Sequence, residues 1–473
     1  MAFVLRSGTV VAPGGLCDTD VWCDDGRVVA LVAPGRRVPN ADAIDVSGLL
    51  LFPGFIDPHV HSRDPGLTEK EDFEHSTQGA AAGGVTTILE MPNAVPPVTT
   101  EAGLLERAGY FASRAWVDFG LWGLAIGARN LAELEGLFRA GAVGVKLFWG
   151  YALDASTLQL IYAPTTNPVI PAPDAGAVLT VAREVHRVGG LLALHCEDRS
   201  ILDAIQAESG SSPLTYPDLL AARPEVAEAA AVAVAAEIAA DSGCHIHVVH
   251  LSSARATEVV RGARSSGIPL TGETCPHYLT LSTDERVVSE GRVKVYPPVR
   301  TADNQQALWA ALADGVIESV GSDHAPHTVA EKQKPLGQQP AGMPGVETLS
   351  SLMVDGMCRG LVSPEQLAML LSENPARIFG LYPRKGSLAP GSDADVTLVD
   401  PHGTTTISTA SLHAKNPFCP WDSWQLKGRV VMSFLRGRQL LRDGAIAPEP
   451  TGHFLPAGHR TLPRRGPGAA ASW

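Results

Sequence analysis

Several things this 473-residue sequence lacks narrow what it can be. It has no uninterrupted apolar run long enough to cross a bilayer. The best candidate, residues 226–240, is Ala-rich and broken by Glu228 and Glu237, so it reads as a buried helix. A secretory leader is not expected either: Arg6 interrupts the short apolar start, and Asp18, Asp20, Asp24 and Asp25 follow closely. The seven cysteines form no CxxC pair and are odd in number, which points to free thiols in a reducing cytoplasm. Positive charge is in deficit, with Lys plus Arg at 37 against Asp plus Glu at 50, a net charge of −13. That balance argues against a nucleic-acid or anionic-membrane footprint, although one local Arg can still bind a small anion. The turn glycines Gly66, Gly83 and Gly84 are not followed by GK[ST], so no phosphate loop is read there. Ser252 and Ser253 lack the strand-to-helix elbow of a nucleophilic serine.

What is present is a globular composition, 45% hydrophobic and 18% charged, with two textures. Residues 1–50 hold short β-rich runs punctuated by Gly and Asp, and a similar texture returns over 381–445. The two are expected to form one small β-sandwich domain built from both chain termini. Between them, over 51–380, apolar strand candidates alternate with helical segments. The strands are read at 55–61, 86–91, 119–125, 144–148, 191–195, 245–251, 269–274 and 317–321. Eight short apolar strands separated by helices imply parallel pairing through right-handed crossovers. The expected fold class is therefore α/β, a (β/α)8 TIM-like barrel with chemistry at the C-terminal strand ends. A doubly wound open sheet is the alternative, but no Gly-rich dinucleotide loop follows the first strand. A long insertion over about 151–176 is expected to lie over the site as a loop. Residues 446–473, rich in Pro, Gly and Arg, are expected to be a flexible tail.

The strand ends carry the chemistry. The first ends IDPHVHSRDPG, where alternation puts His59 and His61 on one side and lets Arg63 continue that face. Two imidazoles on one strand end can chelate a borderline-soft cation such as zinc; alone, such a pair is more simply two partly buried histidines. Lys146 lies in the apolar run AVGVKLFWG, and a buried lysine needs compensation. It is either bound to a carboxylate at the barrel mouth or neutral enough to add CO2 and become a carbamate. His195 closes LLALHCED, His250 closes HIHVVHLSS and Asp323 closes ESVGSDHAPH. Strands one, four, five, six and eight thus each carry a metal-capable group at the same end. His245, His247 and His324 are read as structural. Cys196 adjoins His195, but a Cys–His nucleophile there would need His195 free of metal.

These residues resemble the amidohydrolase superfamily, and specifically its cyclic amidase group of dihydroorotases, allantoinases and hydantoinases. The resemblance runs from FPGFIDPHVH through GSLAPGSDADVTLVD. It implies two Zn2+ per chain: His59, His61 and Asp323 on one, His195 and His250 on the other, and carboxylated Lys146 between them. It also makes Asp323 the catalytic residue, taking a proton from the attacking solvent and passing it to the leaving ring nitrogen. HSRDPG, EMPNA, SDHAPHT and PAGMPGVETL look like dihydroorotase, in which Arg63, Asn93 and His327 would hold a substrate carboxylate and His277 would line the pocket. TGETCPHYL is more similar to allantoinases and hydantoinases. The expectation is a zinc-dependent cyclic amide hydrolase, foremost a dihydroorotase interconverting dihydroorotate and N-carbamoyl-L-aspartate. Allantoinase, hydantoinase or dihydropyrimidinase is the alternative, and a silent amidohydrolase-like scaffold is the non-enzyme reading. The expected partners are a small cyclic amide or ureide substrate and further copies of the chain in a homo-oligomer.

Overall fold

In the computed structural model, residues 2–161, 165–210 and 213–460 are described. The middle of the chain folds as eight successive parallel strand positions. They are Phe55–Val60, Val85–Glu90, Asp118–Leu121 continued by Gly123–Leu124, Val145–Phe148, Leu191–His195, His245–Val248, Leu270–Thr274 and Ser319–Val320. Every pair of neighbours is parallel where it is laddered. Val60 bridges His324 and the His61 N–H donates to the His324 carbonyl at 2.7 Å, so the last strand returns to the first and closes a barrel. The strands read as continuous apolar runs because helices cover the outside while side chains fill the inside: all six residues of Val85–Glu90 are buried. The helices start where the sequence supplies caps. Asp72, Thr100, Asp174, Asp198 and Ser253 each accept a backbone N–H of the first turn.

Two further sheets use both ends of the chain. One has the order Arg27–Val32, Asp20–Asp24, Phe3–Arg6, Asp42–Asp45. The other joins Gly15–Asp18, Thr9–Ala12 and Leu50–Pro53 to Val396–Thr406, Gln425–Leu435, Arg438–Arg442 and Ala445–Ile446. Phe3 stacks on Phe434 at 5.1 Å in their shared apolar core, tying the first residues to the last strands. The architecture is thus a TIM-type barrel with a β-rich domain.

The insertion is more ordered than a plain loop, since Leu153–Asp154 pairs antiparallel with Val169–Ile170. The tail needs correction. Residues 447–460 pack against the barrel: the Phe119 N–H donates to the His453 carbonyl, the Leu455 N–H to the Phe119 carbonyl and the Ala457 N–H to the Gly141 carbonyl. Leu455 is buried with Trp122 and Phe379. A Pro- and Gly-rich composition therefore marks an irregular strap whose backbone bonds are met by the third strand and the loops beside it. The remainder of the expected tail, 461–473, lies outside the described residues.

Candidate active site

The candidate ligands converge at the C-terminal mouth of the barrel. His59 and His61 are buried at the end of the first strand, their Nε2 atoms 3.3 and 3.4 Å from Asp323 Oδ1. His195 Nδ1 faces His250 Nε2 at 2.9 Å. The rings of His59 and His250 lie 5.6 Å apart, which joins the two pairs into one cluster. Lys146 is fully buried beside them, and its Nζ has no hydrogen-bond partner among the described residues. Arg63, His250 and Asp323 sit beyond strand ends with positive φ (63°, 43° and 47°), a conformation that turns each side chain over the mouth.

The outer nitrogens determine what the inner ones can do. His59 Nδ1–H donates to Glu273 Oε1 at 2.8 Å, His61 Nδ1–H to Asn93 Oδ1 at 2.7 Å and His195 Nε2–H to Glu197 Oε2 at 2.9 Å. Each acceptor fixes the tautomer so that the nitrogen turned to the cluster carries a lone pair. Burial pushes His61 down to about 4 and lowers His195 and His250, so these rings are neutral at pH 7. Burial would raise Glu273 and Asp323, but the neighbouring histidines overcome it; Glu273 falls to about 2 and Asp323 well below the usual carboxylate range. Burial draws Lys146 down to about 8. Gly321 makes room for this arrangement, since a Cβ there would lie 2.8 Å from the Glu273 carboxyl carbon and 2.9 Å from His59 Cβ. Neutral imidazoles, one ionised carboxylate and an unpartnered buried amine form a donor set that fits divalent metal. Among the described residues, His59, His61 and Asp323 already bring their ligand atoms within 4.8 Å of one another.

The cavity around this cluster is walled by Arg63, Asn93, Phe148, Tyr151, Tyr296 and the backbone-rich pair Ala341–Gly342. Of the residues expected to contact substrate, Arg63 and Asn93 line it. Arg63 Nε donates to the Pro326 carbonyl at 3.1 Å, and the Asn93 carbonyl oxygen is engaged by His61. His327 is not among the lining residues but lies beside Arg63, its Nε2 3.3 Å from Arg63 Nη2; its Nε2–H donates to the Ala341 carbonyl at 2.9 Å and its Nδ1 accepts from Lys70. His277 is buried against Tyr278 and is not among the lining residues. His324 accepts the Gly345 N–H and meets Ser76, away from the cavity. Burial raises the Cys196 thiol strongly, which removes it as a nucleophile. Sequence reasoning passed over Glu197, Glu273, Arg223, Tyr151 and Tyr296. A signal existed for the two acids, because a Glu inside an apolar strand end must be paired with something.

Comparison with known proteins agrees with this geometry. The family model described as "Amidohydrolase family" matches residues 50–440. The chain therefore belongs to the amidohydrolase family. Within it, the relatives are cyclic amidases. An allantoinase from Rubrobacter xylanophilus is 36% identical over 96% of this chain and 97% of its own length. A dihydroorotase from Methanothermobacter thermautotrophicus is 32% identical, covering 93% of this chain and 94% of its own. The solved L-hydantoinase from Arthrobacter aurescens superposes with a TM-score of 0.89 at 30% identity, over 96% of this chain and 99% of that one. The protein is accordingly a hydrolase acting on cyclic amides. The expected order of substrates is revised, because the allantoinase match exceeds the dihydroorotase match.

Proposed function

We propose that this chain is a zinc-dependent allantoinase-type enzyme that opens a five-membered cyclic ureide. Zinc would be held by His59, His61 and Asp323 on one side and by His195 and His250 on the other, with Lys146, carboxylated by CO2, between them. The observation that carries the reading is the fixed outward N–H of His59, His61 and His195, which leaves two lone pairs facing Asp323, a third facing His250 and a lysine amine without a hydrogen bond among the described residues. Bound zinc supplies Lewis acidity and lowers the pKa of water from about 15.7 towards 7. The remaining work falls to the chain. Asp323, kept ionised beside His59 and His61, accepts the proton of the attacking water and delivers it to the ring nitrogen as the C–N bond breaks and the C–O bond forms. Tyr151, its ring 4.8 Å from that of His195, brings a phenol to the wall where the carbonyl oxygen gains charge.

Arg63 favours a second reading, a carboxylated ring such as dihydroorotate, because a guanidinium fork suits that anion. Against it, one of the three groups expected to hold the carboxylate, His327, is bonded to the Ala341 carbonyl, while Asn93, its Oδ1 taken by His61, keeps only its NH2 for an anion. The test is a side-by-side assay of the zinc-loaded protein on allantoin, hydantoin and dihydroorotate, with zinc counted by plasma emission. The expected result is about two zinc per chain and the highest kcat/KM on allantoin. A tenfold preference for dihydroorotate would overturn the ring assignment. Absence of both zinc and turnover would leave the scaffold reading.

A further inference from the structure

We infer that Arg223 is a positioning residue serving both halves of the site: through Glu197 it fixes the ring of His195, and through Tyr296 it fixes the aromatic wall of the cavity. Arg223 lies between the helices Tyr216–Ala222 and Glu225–Ser242, outside the barrel strands, and its side chain reaches inward to 14% exposure. Its Nη1 bonds Glu197 Oε2, the same oxygen that accepts from His195 Nε2–H. The other oxygen of Glu197, Oε1, has no hydrogen-bond partner among the described residues. The fully buried carboxylate that orients His195 is therefore itself oriented by Arg223.

The central carbon of the same guanidinium lies 3.5 Å from the centre of the Tyr296 ring and 5.7 Å from that of Tyr151, and both rings line the cavity. A stack at that distance combines cation–π attraction with a planar fit. Arg223 is anchored in turn, since its backbone carbonyl accepts Arg300 Nη1–H at 3.1 Å and Arg300 Nε–H bonds Ser252 Oγ at 3.0 Å. Removing the cation leaves Glu197 buried with a single partner and free to turn, so His195 no longer keeps its lone pair on the cluster. Removing only planarity spares that function and loosens Tyr296.

The inference rests on the metal-site reading for its zinc arm and is independent of it for its tautomer arm. Arg223→Met, Arg223→Lys and Tyr296→Leu are to be compared for zinc content and steady-state kinetics. Arg223→Met is expected to fall from two zinc per chain to one. Arg223→Lys, which restores charge without the flat stack, should hold two zinc and raise KM severalfold more than it lowers kcat. Tyr296→Leu should keep both ions and reproduce that KM rise. In zinc-free protein, 15N spectra should show His195 as the single Nε2–H tautomer in wild type and as a mixture in Arg223→Met. Full zinc retention by Arg223→Met, or an unchanged tautomer, would overturn the His195 arm. A Tyr296→Leu variant with wild-type KM would overturn the wall arm. If wild type itself takes up no zinc, the proposed function fails and the tautomer comparison still decides this inference.

Discussion

Lys146 is a cation in a fully buried place with no hydrogen-bond partner among the described residues, and such a residue is retained at a cost. Its nearest aromatic contact, Phe148, has its ring centre 5.5 Å away. The cost can be measured in zinc-free protein. Burial lowers the folded-state pKa from 10.5 to about 8. Below about 8 both folded and unfolded chains carry the proton, and the whole penalty of the buried charge is present. Between about 8 and 10.5 only the unfolded chain stays charged, so it holds more protons and folded stability rises with pH; above 10.5 the penalty is gone. Lys146→Met keeps an unbranched side chain one atom shorter and removes the charge. Zinc-free Lys146→Met should be more stable than zinc-free wild type by on the order of 3 kcal/mol at pH 7, and the gap should close as pH approaches 10.5. Chemical denaturation at pH 7 and pH 10 measures it, alongside loss of zinc binding. A variant less stable than wild type at pH 7 would mean that Lys146 is paired in the zinc-free protein.

At the scale of elements, much of the barrel was legible because a strand covered on both faces is a short apolar run between turns. The fifth strand, Leu191–His195, coincides with the sequence reading. The sixth stops earlier than expected, at Val248, because His250 takes a left-handed backbone that no periodicity announces. The positions of His59, His61, Lys146, His195, His250 and Asp323 were legible because strand order places their ends on one rim. The supporting bonds were not, since Glu197, Glu273 and Arg223 act through side-chain direction rather than spacing. The segment after Asp323 shows the same limit. His327, read as a substrate contact, bonds the wall at the Ala341 carbonyl, and Lys332 Nζ donates to the Gly342 carbonyl at 2.9 Å. Gly342 has φ of +130°, and a Cβ there would lie 2.4 Å from the Ala325 carbonyl oxygen. Gly342→Ala should therefore destabilise the protein by about 1–3 kcal/mol and raise KM more than it lowers kcat, because Ala341–Gly342 lines the cavity. Thermal melts and steady-state kinetics check both. A variant with native melting temperature and KM would show that the wall tolerates movement.

Across the whole molecule, barrel, β-rich domain and strap meet at one buried charge cluster. Lys385 Nζ bonds Asp118 at 2.6 Å, Asp395 at 2.5 Å and Asp393 at 3.0 Å. Asp118 opens the third barrel strand, while Asp393 and Asp395 lead into Val396–Thr406 of the β-rich domain. Arg436, in the turn after Gln425–Leu435, adds a bond to Asp118, and its backbone N–H donates to Asp395 Oδ1 at 2.7 Å. The strap joins through the His453 N–H, which donates to Asp118 Oδ1 at 2.7 Å. Three carboxylates of one sign would repel at this distance without their cations, and Lys385 is the cation that touches all three. Removing one member of such a buried group typically costs about 3–5 kcal/mol, because the remaining charges stay desolvated. Lys385→Met should therefore lower stability by that order, even though Lys385 does not line the cavity at the barrel mouth. It should also separate what the cluster joins. Wild type is expected to melt in one calorimetric transition, and Lys385→Met in two, with the β-rich domain and the strap released first. Hydrogen exchange should then quicken at Phe119 and Leu455, whose amides bond across the strap, before it quickens at His195 in the barrel. A single transition shifted by less than about 1 kcal/mol would show that the carboxylates find other partners and that the domains are held by their apolar contacts alone.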